Sequence, residues 1–219
     1  MAEYTGAVAV GGPSQTRSAG GLKITKVAVG QFDNNSYFLE CEETGDVLIV
    51  DAANEADRLL EELGDRHLAG ILTTHRHADH WGALEAVAKA TGAVTYAHPA
   101  DADELPLPPD ALVPDFGAVK VGNIELEAIH LVGHTPGSIA LLHAENSGTP
   151  HLFTGDCLFP GGVGNTWNDA KAFESLYDGV KTKVFERLPD TTWIYPGHGG
   201  DTNLGNERPH LAEWRERGW

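Results

Sequence analysis

The run 70-GILTTHRHADHWG-82 constrains this chain more than any other: a short apolar segment ends in four candidate metal ligands, His75, His77, Asp79 and His80, within six residues. Side chains alternate between the faces of a strand, so His75 and His77 on such a strand project the same way and can converge on one ion. Asp79 and His80 follow at the turn. A polar strand end accounts for one or two such residues, whereas four together point to a cation site, and such a site draws further ligands from elsewhere in the fold. Other strand ends must therefore meet this one.

Three more strand ends carry candidates. His134 lies in 133-GHTPGS-138 after IELEAIHL, Asp156 in 154-TGDCLF-159 after HLF, and His198 in 196-PGHGG-200 after TTWIY. Each sits among Gly or Pro, which lets tight loops present ligands at the edge of a rigid sheet. One shared edge would gather seven donors, enough for two divalent ions. Carboxylate oxygen with several imidazole nitrogens suits zinc first, with iron and manganese also compatible.

Hydrophobic periodicity supplies the scaffold. LKITKVAV, SYFLEC and VLIVDA read as strands, and NEADRLLEELG as a helix capped by Asn54 and stopped by Gly64. GILTT, the helical DHWGALEAVAKATG ending at Gly92, and the strand VTYAH repeat that order, which implies layered α/β architecture. Asp and Pro between 99 and 114 indicate an irregular connection. AVKVGNIELEAIHL contains a Gly-Asn turn between two strands, and a second hairpin turns around Asn146, Ser147 and Gly148. A helix from Asp169 to about Leu188, a strand TTWIYP and an amphipathic tail complete the chain.

Residues 1–21, rich in Gly and Ser with only a short apolar patch, read as a loose arm before one domain over 22–219. Lys and Arg number 15 against 32 Asp and Glu, and a net charge of −17 repels nucleic acid and anionic membranes. No apolar run is long enough to cross a bilayer. Two cysteines, Cys41 and Cys157, make no disulfide framework, so a reducing cytoplasm is the expected compartment.

THRHADH, GHTPGS, TGDCLF and PGHG, in this order and approximate spacing, resemble the metallo-β-lactamase superfamily. The resemblance implies a four-layer αβ/βα sandwich, two mixed sheets face to face with helices outside, and a dinuclear metal site at one edge. It assigns His75, His77 and His134 to one ion, Asp79, His80 and His198 to the other, and Asp156 to the bridge. Within the superfamily GHTPGS and GDCLFPGGVGNTW are most similar to glyoxalase II, which implies cleavage of a small-molecule thioester by a metal-bridging hydroxide oriented by Asp79. Where that branch holds glutathione with Lys and Tyr, the matching loop offers Asn165 and Trp167, and its helical C-terminal domain has only a short tail as counterpart. The thiol handle is thereby left open, glutathione and mycothiol among the options. A persulfide dioxygenase with one iron on His75, His134 and Asp156 is the alternative from another reaction class, and a lactonase or β-lactamase is a third.

Other polar residues have plainer readings. Cys157 follows Asp156 but faces the other way along an extended segment, as a small buried residue. His67, His98, His130, His143, His151 and His210 lack the Gly/Pro setting and read as surface or supporting residues. Asn35 and Trp81 suit a turn and a packing role. The 162-GVG-164 pattern does not open a strand-to-helix nucleotide fingerprint and reads as a substrate loop.

Overall fold

The computed structural model describes residues 4–144 and 148–218. Its first sheet runs in chain order through β1 (Gln15–Ala19), β2 (Leu22–Val29), β3 (Asn34–Cys41), β4 (Val47–Val50), β5 (Leu68–Leu72), β6 (Val94–Ala97) and β7 (Ala111–Leu112). β1 to β4 pair antiparallel and β4 to β7 parallel. The second sheet contains β8 (Ala118–Val121), β9 (Ile124–His130), β10 (Ile139–His143) and β11 (His151–Gly155). A small hairpin of β12 (Leu158–Phe159) and β13 (Gly162–Val163) precedes its last strands, β14 (Trp193–Pro196) and β15 (Thr202–Asn203). The order across this sheet is β15-β14-β11-β10-β9-β8, with β11 and β14 parallel.

Both faces of each sheet are covered, which is why VLIV reads as a continuous apolar run without alternation. Leu48 and Val50 point inward with Ile24, Leu39 and Leu72 and meet Leu126, Ile139, Leu141, Phe153 and Tyr195 of the second sheet. Val47 and Ile49 point outward to Leu59 and Leu63 of α1 (Ala56–Leu63) and to Leu84 and Val87 of α2 (Leu84–Thr91). On the far side, Ala140, Leu142, Leu152 and Ile194 pack under Phe173, Leu176 and Val180 of α3 (Ala170–Val180). Trp214 of α5 (Leu211–Arg217), which follows the short α4 (Leu204–Glu207), closes that layer. The result is the four-layer sandwich. Truncating one fully buried inner residue, as in Leu48→Ala, would cost about 2–5 kcal/mol.

Several boundaries differ from the sequence reading, each for a local reason. The arm is structured in part: Gln15–Ala19 pairs with Leu22–Lys26 as an edge strand, and Tyr4 donates from its hydroxyl to Asp201 Oδ2 at 2.8 Å. Composition favoured disorder there, but the unpaired edge of β2 offers ladder partners that override it. Glu55, with φ +52°, holds the N-cap position of α1, while Asn54 Oδ1 accepts from the Glu55 backbone N–H; Gly64 ends the helix as expected. The connection at 99–114 contains a helical turn, Ala102–Glu104, and the two-residue β7. The helix from Asp169 is regular to Val180 and widens into a π turn over Lys181–Phe185. Gly122, at φ +54°, makes the expected tight turn between β8 and β9. Asn146 and Ser147 lie outside the described residues, while the strands before and after them, β10 and β11, pair antiparallel. Among the described residues no helix is long and apolar enough to cross a membrane.

Candidate metal centre

The seven donors of the four motifs meet at one edge of the sandwich. Ligand atoms of His75, His77 and His134 lie within 4.8 Å of one another, as do those of Asp79, His80 and His198, and of His75, His80 and Asp156. Asp156 sits in the middle. Its Oδ1 is 3.4 Å from His80 Nε2, and its Oδ2 is 3.6 Å from His134 Nε2 and 3.4 Å from His198 Nε2. His198 Nε2 is also 3.4 Å from Asp79 Oδ2.

His75 and His77 reach the cluster from a loop, not from the strand that the alternation argument used. β5 ends at Leu72 because the Thr74 N–H leaves the ladder to donate to Asp51 Oδ1 at 2.7 Å. The rings still converge, with centroids 4.7 Å apart. Ala78–His80 then form one 3₁₀ turn that directs Asp79 outward and buries His80. Gly197 is required beside them, since a Cβ there would collide with Asp156 Oδ1 and His80 Cε1.

Four imidazoles are held from behind. His134 Nδ1 is 2.8 Å from Asn165 O and His198 Nδ1 is 2.8 Å from Phe32 O; a carbonyl only accepts, so each Nδ1 carries the proton and each Nε2 faces the cluster. His80 Nδ1 donates to Asp51 Oδ2 at 2.8 Å. Thr74 Oγ1 also donates to Asp51 Oδ2, leaving its lone pairs to accept from His75 Nδ1 at 3.0 Å. Buried partners that orient imidazoles in this way are what metal-binding histidines require.

Electrostatics point the same way. Burial, reinforced by the charge of His80, holds His75 well below the ordinary histidine range, and burial lowers His77 and His134. Burial would also lower His80, but Asp51 and Asp156 outweigh it and raise the imidazole to about 10. For His198, burial is likewise outweighed by hydrogen bonds to Asp156 and Asp79, which bring it to about 10. Asp156 is held well below the carboxylate range: burial opposes this, and the charge of His80, with the His198 imidazole close by, prevails. The hydrogen bond from His198 is the main cause of the lowered Asp79. Neutral imidazoles on one side and anions that demand positive charge on the other suit divalent cations. Asp156 Oδ1, buried and accepting no hydrogen bond, has the vacant lone pairs of a ligand.

Asp51, Asn34 and Asp101 escaped the sequence reading. Asn34 Nδ2 donates to Asp79 Oδ2 at 2.8 Å. Asp101, 1% exposed, accepts from the Arg76 N–H at 3.1 Å, Thr135 Oγ1 at 2.5 Å and the Gly137 N–H at 2.9 Å, tying the loop of His75 and His77 to the loop of His134. Asp51 and Asn34 stand at strand ends and Asp101 caps the turn Ala102–Glu104, all without a distinguishing local motif; positive φ at Asp51, +58°, marks it only once coordinates exist. Asn35, buried, donates to Pro196 O and Gly199 O and so steadies the His198 loop, while Trp81 Nε1 donates to Arg76 O. Cys157 is buried with its thiol pushed up by burial. His98 stacks on His130 with centroids 3.8 Å apart, and His151 Nδ1 meets the Tyr195 hydroxyl. None of the six histidines set aside from the sequence belongs to the donor groups.

A cleft of about 810 Å³ lies over the cluster between Phe32 and Trp167, with Asn165 in its wall. Trp167 stands 58% exposed with its ring 5.2 Å from both His77 and His134. Its backbone is left-handed, φ +52°, and its N–H donates to Asn165 Oδ1 at 2.8 Å.

Comparison with known proteins agrees with this architecture. The family described as the metallo-beta-lactamase superfamily matches residues 29–198. A Haemophilus influenzae protein named hydroxyacylglutathione hydrolase GloC is 31% identical over 207 residues, covering 85% of this chain and 95% of its own. The crystal structure of the BLEG-1 B3 metallo-beta-lactamase superposes with TM-score 0.77 at 25% identity, over 87% of this chain and 99% of its own. The structure of ETHE1 from Myxococcus xanthus superposes with TM-score 0.76 at 27% identity, over 88% and 84%. With its motifs gathered at one edge of the αβ/βα sandwich, the chain belongs to the metallo-beta-lactamase superfamily.

Proposed function

We propose that the protein is a dinuclear metal-dependent hydrolase that cleaves the thioester of a low-molecular-weight thiol. His75, His77 and His134 would hold one ion, Asp79, His80 and His198 the other, and Asp156 both. Such ions supply Lewis acidity, lowering the pKa of a water to about 7 and polarising a carbonyl. Zinc fits the donor set, as do iron and manganese.

The composition of the cleft carries the thioester reading. Among the described residues every titratable side chain lining it, His77, Asp79, His134, Asp156 and His198, belongs to the candidate ligand set, so none of them is a separate acid for the leaving group. A thiol, with a free pKa near about 8.5, departs as thiolate without one, whereas an amine needs protonation. The name of the Haemophilus relative supports the same chemistry. Water adds its oxygen to the acyl carbon, the carbon–sulfur bond breaks with its electron pair on sulfur, and acid and thiol are released. Asp79, which accepts a hydrogen bond from Asn34 Nδ2, would orient the attacking water or hydroxide, and that water's protons leave with the acid and thiol products or to solvent.

Thiol release from glutathione, mycothiol and coenzyme A thioesters, followed with a chromogenic reagent and with metals counted, tests the proposal. Turnover of at least one is expected. No turnover of any, with lactone opening or with oxygen uptake on a persulfide, would overturn it in favour of a lactonase or a dioxygenase.

A further inference from the structure

Trp167 separates two openings. Beyond it lies a second cleft of about 480 Å³, walled by Val132, Pro136, Thr166 and Ala172 and by Arg76. His77, His134 and Trp167 line both clefts, so the second begins at the reacting centre. Val132 and Trp167 are 41% and 58% exposed, an apolar wall open to solvent.

Arg76 is the only Lys or Arg among the described residues lining the clefts that adjoin the cluster. Its Nε forms a long ion pair with Asp101 Oδ1 at 3.9 Å, without a hydrogen bond, and its side chain is 36% exposed, so its remaining N–H groups face the cleft side open to solvent. Asp101 is already occupied by Thr135, Gly137 and the Arg76 backbone. Asp169, the other carboxylate in this wall, caps α3 by accepting from Lys171 and Ala172 N–H groups. A guanidinium therefore remains available in a chain of net charge −17, beside an apolar wall and next to a metal-binding loop. Asn165, in contrast, uses its side-chain oxygen to hold the left-handed Trp167 that divides the clefts.

Building on the thioesterase reading, we propose that the second cleft seats the thiol handle of the substrate, and that the handle is an extended chain ending in a carboxylate. The carboxylate meets the Arg76 guanidinium and the chain lies against Trp167 and Val132. A single guanidinium with Asp101 and Asp169 nearby suits a monoanion and disfavours the phosphates of a nucleotide-bearing handle.

The test compares one ligand with and without its charge. S-Hexylglutathione, a thioether that cannot be hydrolysed, and its diethyl ester would be titrated calorimetrically into the metal-loaded protein and into Arg76→Gln and Arg76→Lys. The wild type is expected to prefer the diacid about threefold or more at low salt, and the preference to shrink as salt rises. It should vanish in Arg76→Gln and persist in part in Arg76→Lys. Loss of folding would weaken both ligands together and leave their ratio unmoved; because bound cations also attract a carboxylate, metal is counted in each variant and only variants with wild-type metal content are compared. Equal affinity for both ligands in the wild type, a preference retained by Arg76→Gln, or tighter binding of coenzyme A would overturn the assignment. Binding that shows the preference without turnover of any thioester would overturn the thioesterase reading and leave the handle site standing.

Discussion

His80 Nδ1 lies 2.8 Å from Asp51 Oδ2, with both side chains almost wholly out of solvent. That contact aims an imidazole, and the same carboxylate takes two hydrogen bonds from Thr74, which in turn accepts from His75. One buried Asp thus orients a histidine in each candidate ion site. Asp51→Ala is expected to weaken metal binding by about 10–100-fold, and Asp51→Asn by less. Competition with a chromogenic chelator measures this. Unchanged affinity would mean that packing alone orients the two rings.

Asp156 lies within 3.6 Å of imidazole nitrogens of both ion groups. On the proposed dinuclear reading, removing its carboxylate in Asp156→Ala would leave two cations less compensated, so metal content and hydrolysis should fall together. His67, with a side chain 75% exposed and paired to Asp46, is the control, and His67→Ala should alter neither. Two tightly held ions and near-normal turnover in Asp156→Ala would rule out the bridging role.

Asn165 holds Trp167 in a backbone region that costs a bulky residue about 1–3 kcal/mol. Asn165→Ala removes the acceptor, and the indole should leave its place between the clefts. The expected effect is a several-fold rise in KM with a smaller change in kcat, since binding surface is lost and not a reacting group. Asn165→Ser keeps an acceptor oxygen without adding charge and should lie closer to wild type. Identical kinetics for the two variants would show that the turn does not set the position of Trp167.

Lys26 and Asp201 form a buried ion pair at 2.6 Å, and Lys26 also donates to Gly6 O and Gly199 O. The pair joins the N-terminal segment to the loop that follows His198. Lys26→Met would leave the Asp201 charge buried without its cation and cost about 3–5 kcal/mol, measurable by urea unfolding. Combining it with Asp201→Asn should restore part of that stability. Additive losses would contradict a coupled pair.

His151 gives a pH signature away from the metal centre. Burial, with smaller contributions from the charges of Arg17 and His143, lowers it from 6.5 to about 4. The unfolded chain therefore takes up a proton that the folded chain refuses. Stability from the neutral imidazole is complete above about pH 6.5 and is lost as pH falls toward 4. Urea midpoints at pH 7 and pH 5 should drop less in His151→Gln than in the wild type. An equal drop would place the acid sensitivity elsewhere.

The layered α/β order, the two helix-ending glycines Gly64 and Gly92 and the seven candidate ligands that the fold gathers were legible in the sequence, because strand periodicity, left-handed helix stops and clustered ligand types are local patterns. The role of β1 was not legible: Gln15–Ala19 is extended because the edge of β2 has unpaired backbone groups, a demand made by a neighbour and not by its own side chains. Asp51 and Asp101 read as ordinary acidic residues, since the partners of Asp51 lie 23–29 positions after it and those of Asp101 lie 25 positions before and 34–36 after it, and they meet only when the fold assembles. The same holds for Arg76, whose place in the second cleft depends on Val132, Trp167 and Ala172 arriving from other elements. Donor identity is written residue by residue, whereas donor orientation is set by hydrogen bonds across the fold, such as Asn165 O to His134 and Phe32 O to His198, which form only when distant segments are brought within about 3 Å.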